Sequence, residues 1–165
     1  MKVFKILPLL ATAAILSLTS CSTETFPDDD IAAVEITHAP QAKQIEIEIL
    51  ELINQYRIEQ GLNALGNHNT VKAVAYTHTD YMVETEQVNH DNFPERRLSL
   101  QQNADARLVS ENVAYGYTSA QSVVTAWLNS PGHKANIEGD FTDFDISAEQ
   151  NEEGKWYYTN MFIKR

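Results

Sequence analysis

The sequence predicts an α/β domain in which helices flank both sides of a small, mostly antiparallel sheet, a three-layer α-β-α sandwich. Three observations predict it. Apolar residues recur at helical spacing in separate stretches, a β-type stretch lies between two of those stretches, and two further β-type stretches joined by a short polar turn close the chain.

The first helix begins near Ile45. Ile45, Ile49, Leu52, Ile53 and Tyr56 fall on one helical face with Glu46, Glu48, Glu51 and Gln55 between them, and Gly61 stops the run. A second helix is expected over residues 70–88, with Val71, Val74, Ala75, His78 and Met82 as its apolar stripe. Residues 94–103 give a short helix after a turn, and residues 108–115 have β-type composition. The third strong helix covers residues 119–129, where Ala120, Val123, Val124, Trp127 and Leu128 make one face. Ser119 can cap its N-terminus, and Ser130-Pro131-Gly132 ends it because proline has no N–H to donate. A short helical turn follows through Asn136-Ile137 before Gly139. Phe144, Ile146 and Ala148 then alternate with Asp145, Ser147 and Glu149, the period of a half-buried strand. Glu152-Glu153-Gly154 supplies a turn, and an aromatic strand over residues 155–163 completes an antiparallel hairpin. There is no internal repeat.

Ahead of this domain the chain has a different character. Lys2 and Lys5 precede an apolar run over residues 6–18, long enough for the hydrophobic region of a secretory signal and too short to span a membrane, which takes about 20 apolar residues. The run ends in Leu18-Thr19-Ser20-Cys21, which resembles the lipobox of bacterial lipoproteins. That resemblance implies cleavage before Cys21, acylation of Cys21 and a membrane anchor in the cell envelope, facing the periplasm or the exterior. Residues 1–20 are therefore expected to be a signal peptide and residues 21–43 a lipidated, acidic, proline-broken tether. Residues 44–165 form the domain.

Cys21 is the only cysteine, so no intramolecular disulfide can form and the core must hold by packing. Loss of residues 1–20 leaves roughly 145 residues, one domain's worth. The formal net charge of −11 becomes more negative once Lys2 and Lys5 are removed. Such a balance argues against nucleic acid as a partner and against an electrostatic grip on anionic lipid.

Several stretches share one resemblance. Leu52-Ile53-Asn54-Gln55-Tyr56-Arg57 with Gly61-Leu62, then Ala75-Tyr76-Thr77-His78 with Met82, look like the first two helices of bacterial CAP domains. Asn89-His90-Asp91-Asn92-Phe93 with Arg96 or Arg97, Glu111-Asn112-Val113-Ala114-Tyr115-Gly116, and Trp127-Leu128-Asn129-Ser130-Pro131-Gly132-His133 through Asn136-Ile137 match that family's signature stretches in order. Phe141-Thr142-Asp143 and Tyr157-Tyr158-Thr159 with Phe162 complete the likeness. The resemblance implies the α-β-α sandwich of cysteine-rich secretory proteins, with a cleft gathering histidines and acids. His90, Glu111 and His133 occupy the matching positions. The chain departs from the family in having no disulfides, in offering one matching glutamate instead of two, and in reading Asp145-Ile146-Ser147 where bacterial relatives commonly read Gly-Val-Gly. A glycine lost there is expected to narrow or reshape the cleft floor.

The residues point to the same place independently. On a strand, Val109, Glu111 and Val113 share a face, and a carboxylate on an apolar face costs several kcal/mol unless paired, hydrogen-bonded, metal-bound or protonated. Three readings stay open for His90, Glu111 and His133: a buried polar network, a site for a small lipid, an envelope ligand or a divalent metal such as zinc, and catalysis. The catalytic version is a metal-dependent hydrolase or peptidase with Glu111 as general base, although the helical pair of histidines around a glutamate typical of zinc peptidases is absent. His78 reads as a satisfied core histidine, His68 as a loop residue and His38 as part of the tether. Trp127 and Trp156-Tyr157-Tyr158 read as core, and Ser110 lacks the context of a nucleophile.

Overall fold

A computed structural model describes residues 31–36 and 38–165. The signal peptide expected over residues 1–20 and Cys21 fall outside the described residues.

The chain runs α1 (Gln44–Glu59), β1 (Gly66–Asn67), α2 (Asn69–Thr85), α3 (Phe93–Asn103), β2 (Leu108–Tyr115), α4 (Ala120–Asn129), α5 (Pro131–Ile137), β3 (Asp143–Gln150) and β4 (Trp156–Lys164). The strands form one mixed sheet in the order β1-β3-β4-β2. Only the two-residue β1 runs parallel, beside the start of β3, and the remaining pairs are antiparallel. β1 gives no sequence signal, because two residues cannot show a period.

One face of the sheet packs against α1, α4 and α5. Ile49, Leu50 and Ile53 of α1 meet Val123, Val124 and Trp127 of α4 over Phe144, Ile146, Tyr158 and Phe162. The other face carries α2 and α3, where Val71, Val74, Ala75 and Leu100 cover Val109, Met161 and Ile163. Two helical layers around one sheet give the expected sandwich.

The second layer also overturns one expectation. β3 is buried on both faces, with Asp145 only 4 % exposed and Ser147 1 %. Alternation predicts a wet side for this strand, but α2 lies across it, so the polar residues sit beneath a helix. α2 also ends three residues early. Glu86 takes a left-handed conformation at φ 53°, and the Gln87 N–H closes back on the Met82 carbonyl, which terminates the helix before Val88. Of the expected tether, residues 31–36 have no regular secondary structure, yet Val34 and Ile36 pack on the α2–α3 side of the core and Ser99 Oγ donates to the Val34 carbonyl.

Side chains cap two backbone groups on each lateral edge of the sheet. Along β2, Asn136 Nδ2 donates to the Glu111 carbonyl at 3.1 Å and Trp127 Nε1 to the Val113 carbonyl at 3.0 Å. Along β3 beyond β1, Lys72 Nζ donates to the Ile146 carbonyl and Glu46 Oε1 accepts the Ala148 N–H at 2.8 Å. A strand edge left with bare carbonyls and N–H groups would otherwise be open to pairing.

Candidate functional site

Glu111 sits near the middle of β2 on the α2–α3 side, with its side chain 1 % exposed. Arg96 of α3 reaches it with two parallel bonds, Nε to Oε2 at 2.7 Å and Nη2 to Oε1 at 2.9 Å. Such a bidentate guanidinium–carboxylate pair is among the stronger contacts a protein makes. The third face of the guanidinium donates to the Asp91 carbonyl at 2.6 Å, so one arginine ties the carboxylate to the preceding loop.

That loop is shaped locally. Asn89 Oδ1 accepts the Asp91 N–H and its amide donates to Asp91 Oδ2, while Asn92 enters the left-handed region at φ 58° immediately before α3. His90 is thereby turned inward, with Nδ1 2.7 Å from Glu111 Oε1 while the side chain stays 51 % exposed. Since the carboxylate can only accept, His90 donates this bond through its Nδ1–H. His78 of α2 holds the loop from the other side by donating Nε2–H to the Asn89 carbonyl at 2.9 Å, and the same nitrogen lies 4.0 Å from Glu111.

The charges follow from these contacts. Burial alone would raise the Glu111 carboxyl, but the hydrogen bond from His90 and the charge and hydrogen bonds of Arg96 outweigh it and hold it below the ordinary glutamate value. His78 is depressed, first by burial, which keeps it neutral. Its Nδ1 has no partner among the described residues.

His133 approaches from the opposite layer, around the β2 edge. Its helix is locked there by Asn136, which also donates to Asn112 Oδ1 at 2.8 Å, and by Asn112 Nδ2, which donates to the His133 carbonyl at 3.1 Å. Burial lowers the His133 imidazole and the nearby charge of His90 lowers it further. The structure thus joins His90 directly to Glu111 and puts His133 within electrostatic reach of His90.

The sequence-based metal reading meets a geometric obstacle. Both oxygens of Glu111 are committed to Arg96 and His90, and among the described residues no group of three histidine, cysteine, aspartate or glutamate side chains converges on one point. His90, Glu111 and His133 do not make a zinc coordination set. Two residues of the site escape sequence reasoning. Arg96 enters it only through its likeness to the family pattern, and His78 reads as core without its link to the loop. β4 separates Asp145 and Ser147 of β3 from β2, and α2 roofs both side chains.

Comparison with known proteins agrees with this architecture. The sequence model of CAP, the cysteine-rich secretory protein family, matches residues 50–162. A Bacillus subtilis protein named uncharacterized membrane protein YlbC is 32 % identical over 130 residues, 73 % of this chain and 34 % of that protein. The chain therefore spans about a third of that relative's length. An outer surface protein from Borrelia burgdorferi superposes with a TM-score of 0.69 at 25 % identity, over 78 % of this chain and 98 % of the other. An extracellular SCP-domain protein from Bacillus anthracis gives 0.64 at 25 % identity, over 73 % of this chain and 40 % of the other. A Staphylococcus aureus cysteine-rich secretory protein gives 0.64 at 18 % identity, over 76 % and 40 %, a likeness of fold alone.

Proposed function

The chain belongs to the CAP, or cysteine-rich secretory protein, family, and on that premise we propose that it is an exported, lipid-anchored envelope protein working as a binding module. Its parts are a signal peptide over residues 1–20, Cys21 with its tether to residue 43, and the domain over residues 44–165. The charged start, the apolar run and the lipobox-like Leu18-Thr19-Ser20-Cys21 support the anchor. So do relatives named as an outer surface protein, a membrane protein and an extracellular protein. No helix among the described residues is long and apolar enough to cross a membrane. Detergent partitioning of the expressed chain checks the anchor: Cys21→Ala should move it from the membrane to the soluble fraction, and an unchanged distribution refutes lipidation.

The observation that carries the binding reading is the division of labour among Glu111, Arg96, His90 and His133. Glu111 and Arg96 neutralise each other in the interior, and what reaches solvent is a pair of imidazoles, His90 and His133, on a rigid frame. Two imidazoles offer hydrogen-bonding nitrogens to a small ligand or to a polar group of an envelope partner. Imidazole resonances followed by NMR during titration with an envelope lipid extract, and separately with zinc, test this. Lipid is expected to shift His90 and His133 together, whereas zinc alone should leave both unmoved. Resonances indifferent to lipid would remove the site.

A second reading rests on the His90–Glu111 contact itself. A carboxylate on Nδ1 orients the ring and leaves Nε2 as a proton acceptor, an arrangement hydrolases use. Glu111 makes a poor base, being held low and hydrogen-bonded on both oxygens, so His90 takes that role. Turnover of a peptide or ester panel lost in His90→Ala would support hydrolysis, and no turnover across the panel ends it.

A further inference from the structure

A concavity lies apart from His90, Arg96, Glu111 and His133, none of which lines it. It has a volume of about 1270 Å³ and lies between α1, the start of α2 and the extended segment before α1. Ile47 and Ile58 form part of its wall, at 39 % and 61 % exposed, and both are among the few large apolar side chains the surface leaves bare. Leu50 and Pro40 extend that wall. Exposed apolar side chains gathered on a concave surface mark places where something binds.

Its charge is one-sided. Glu51 and Glu59 stand on the lining from α1, and Asp145 of β3 reaches it from the sheet. The only ammonium on the lining among the described residues, Lys72, is already engaged, 2.7 Å from Glu46 and bonded to the Ile146 carbonyl. Those two bonds account for Lys72 and Glu46 as closers of the β3 edge. Asp145 has no such account. It is 4 % exposed, accepts only backbone N–H groups, from Ile146 at 2.9 Å and His68 at 3.3 Å, and forms no ion pair among the described residues. Counting Lys43, Lys72, Glu46, Glu149 and Asp145 as one cluster, two cations face three anions. Burial pushes the Asp145 carboxyl up to about 6, so at neutral pH it holds a buried negative charge whose facing cation, Lys72, is already paired with Glu46.

We propose that this cavity binds an aliphatic amine, with its protonated amine on Asp145 and its hydrocarbon body along Ile47, Leu50 and Ile58. The amine supplies the missing cation and the chain covers the bare apolar wall. A purely structural Asp145, serving only to accept its two backbone N–H groups, would leave no preference for one head group over another.

Calorimetric titration of the full chain at pH 7.5 with dodecylamine, dodecanol and dodecanoate, each kept monomeric, tests the assignment. The amine is expected to bind at least about tenfold more tightly than the other two. Asp145→Asn, which removes the charge and keeps an oxygen for the Ile146 N–H, should erase that preference while dodecanol binding stays. Ile58→Arg puts a cation on the exposed wall without touching the core, and should weaken the amine and leave dodecanoate no weaker. If Asp145→Asn does not fold, Ile58→Arg decides. Equal affinities for the three compounds, no saturable amine binding, an amine preference that survives folded Asp145→Asn, or amine affinity unchanged in Ile58→Arg each overturn the proposal.

Discussion

Glu111 and Asp145 are both buried carboxyls beneath the α2–α3 layer, and their surroundings drive them in opposite directions. Glu111 is held low by its partners, so its contribution to stability is present above the ordinary glutamate pKa and disappears as pH falls through the depressed folded value. Glu111→Gln leaves the Arg96 guanidinium buried and short of its counterion, at an expected cost of about 3–5 kcal/mol in urea unfolding. Arg96→Met should cost a similar amount, and the double variant clearly less than the sum, since the two losses are one interaction. Asp145 is raised to about 6, so its favourable protonation is complete below the unfolded value near 4 and lost as pH climbs through 6. Lys72 and Glu46 are the charged groups that face it. Asp145→Asn removes that pH-dependent cost but turns a donor amide toward the His68 N–H, so its stability relative to the parent chain should rise from pH 4 to pH 7. A pH series of unfolding midpoints for both chains reads this directly, and equal curves would contradict the burial argument.

At the level of elements, β2 and α5 depend on each other through Asn136. Its amide serves both the Glu111 carbonyl and Asn112 Oδ1, so Asn136→Ala strands two acceptors at the sheet edge. The expected loss is about 1–3 kcal/mol by chemical denaturation, with amide exchange accelerating in α5 before the rest of the molecule. Long periodic segments are legible in the sequence. α1, α2 and α4 follow their apolar stripes closely because each helix buries one face against the sheet. What alternation cannot report is the layer above β3, since a polar residue under a helix and one facing water look alike in the chain. The end of α2 is equally hidden, because glutamate at a left-handed position carries no compositional mark. Within the site, Glu111 announces itself as a charge between Val109 and Val113. Arg96 does not, because an arginine in a short polar helix reads as a solvated face until the fold brings it to β2.

For the molecule as a whole, stability rests on two apolar clusters and no covalent crosslink. Reducing agent is therefore expected to leave the melting temperature unchanged, a simple scan with and without reductant that separates this chain from disulfide-bearing cysteine-rich secretory proteins. The capped sheet margins bear on how copies tolerate one another. With an indole and a carboxamide over one flank and an ammonium and a carboxylate over the other, neighbouring molecules crowded on a surface meet an interrupted backbone row that is harder to zip onto. Dense arrays should stay as separate particles instead of fusing into fibrils.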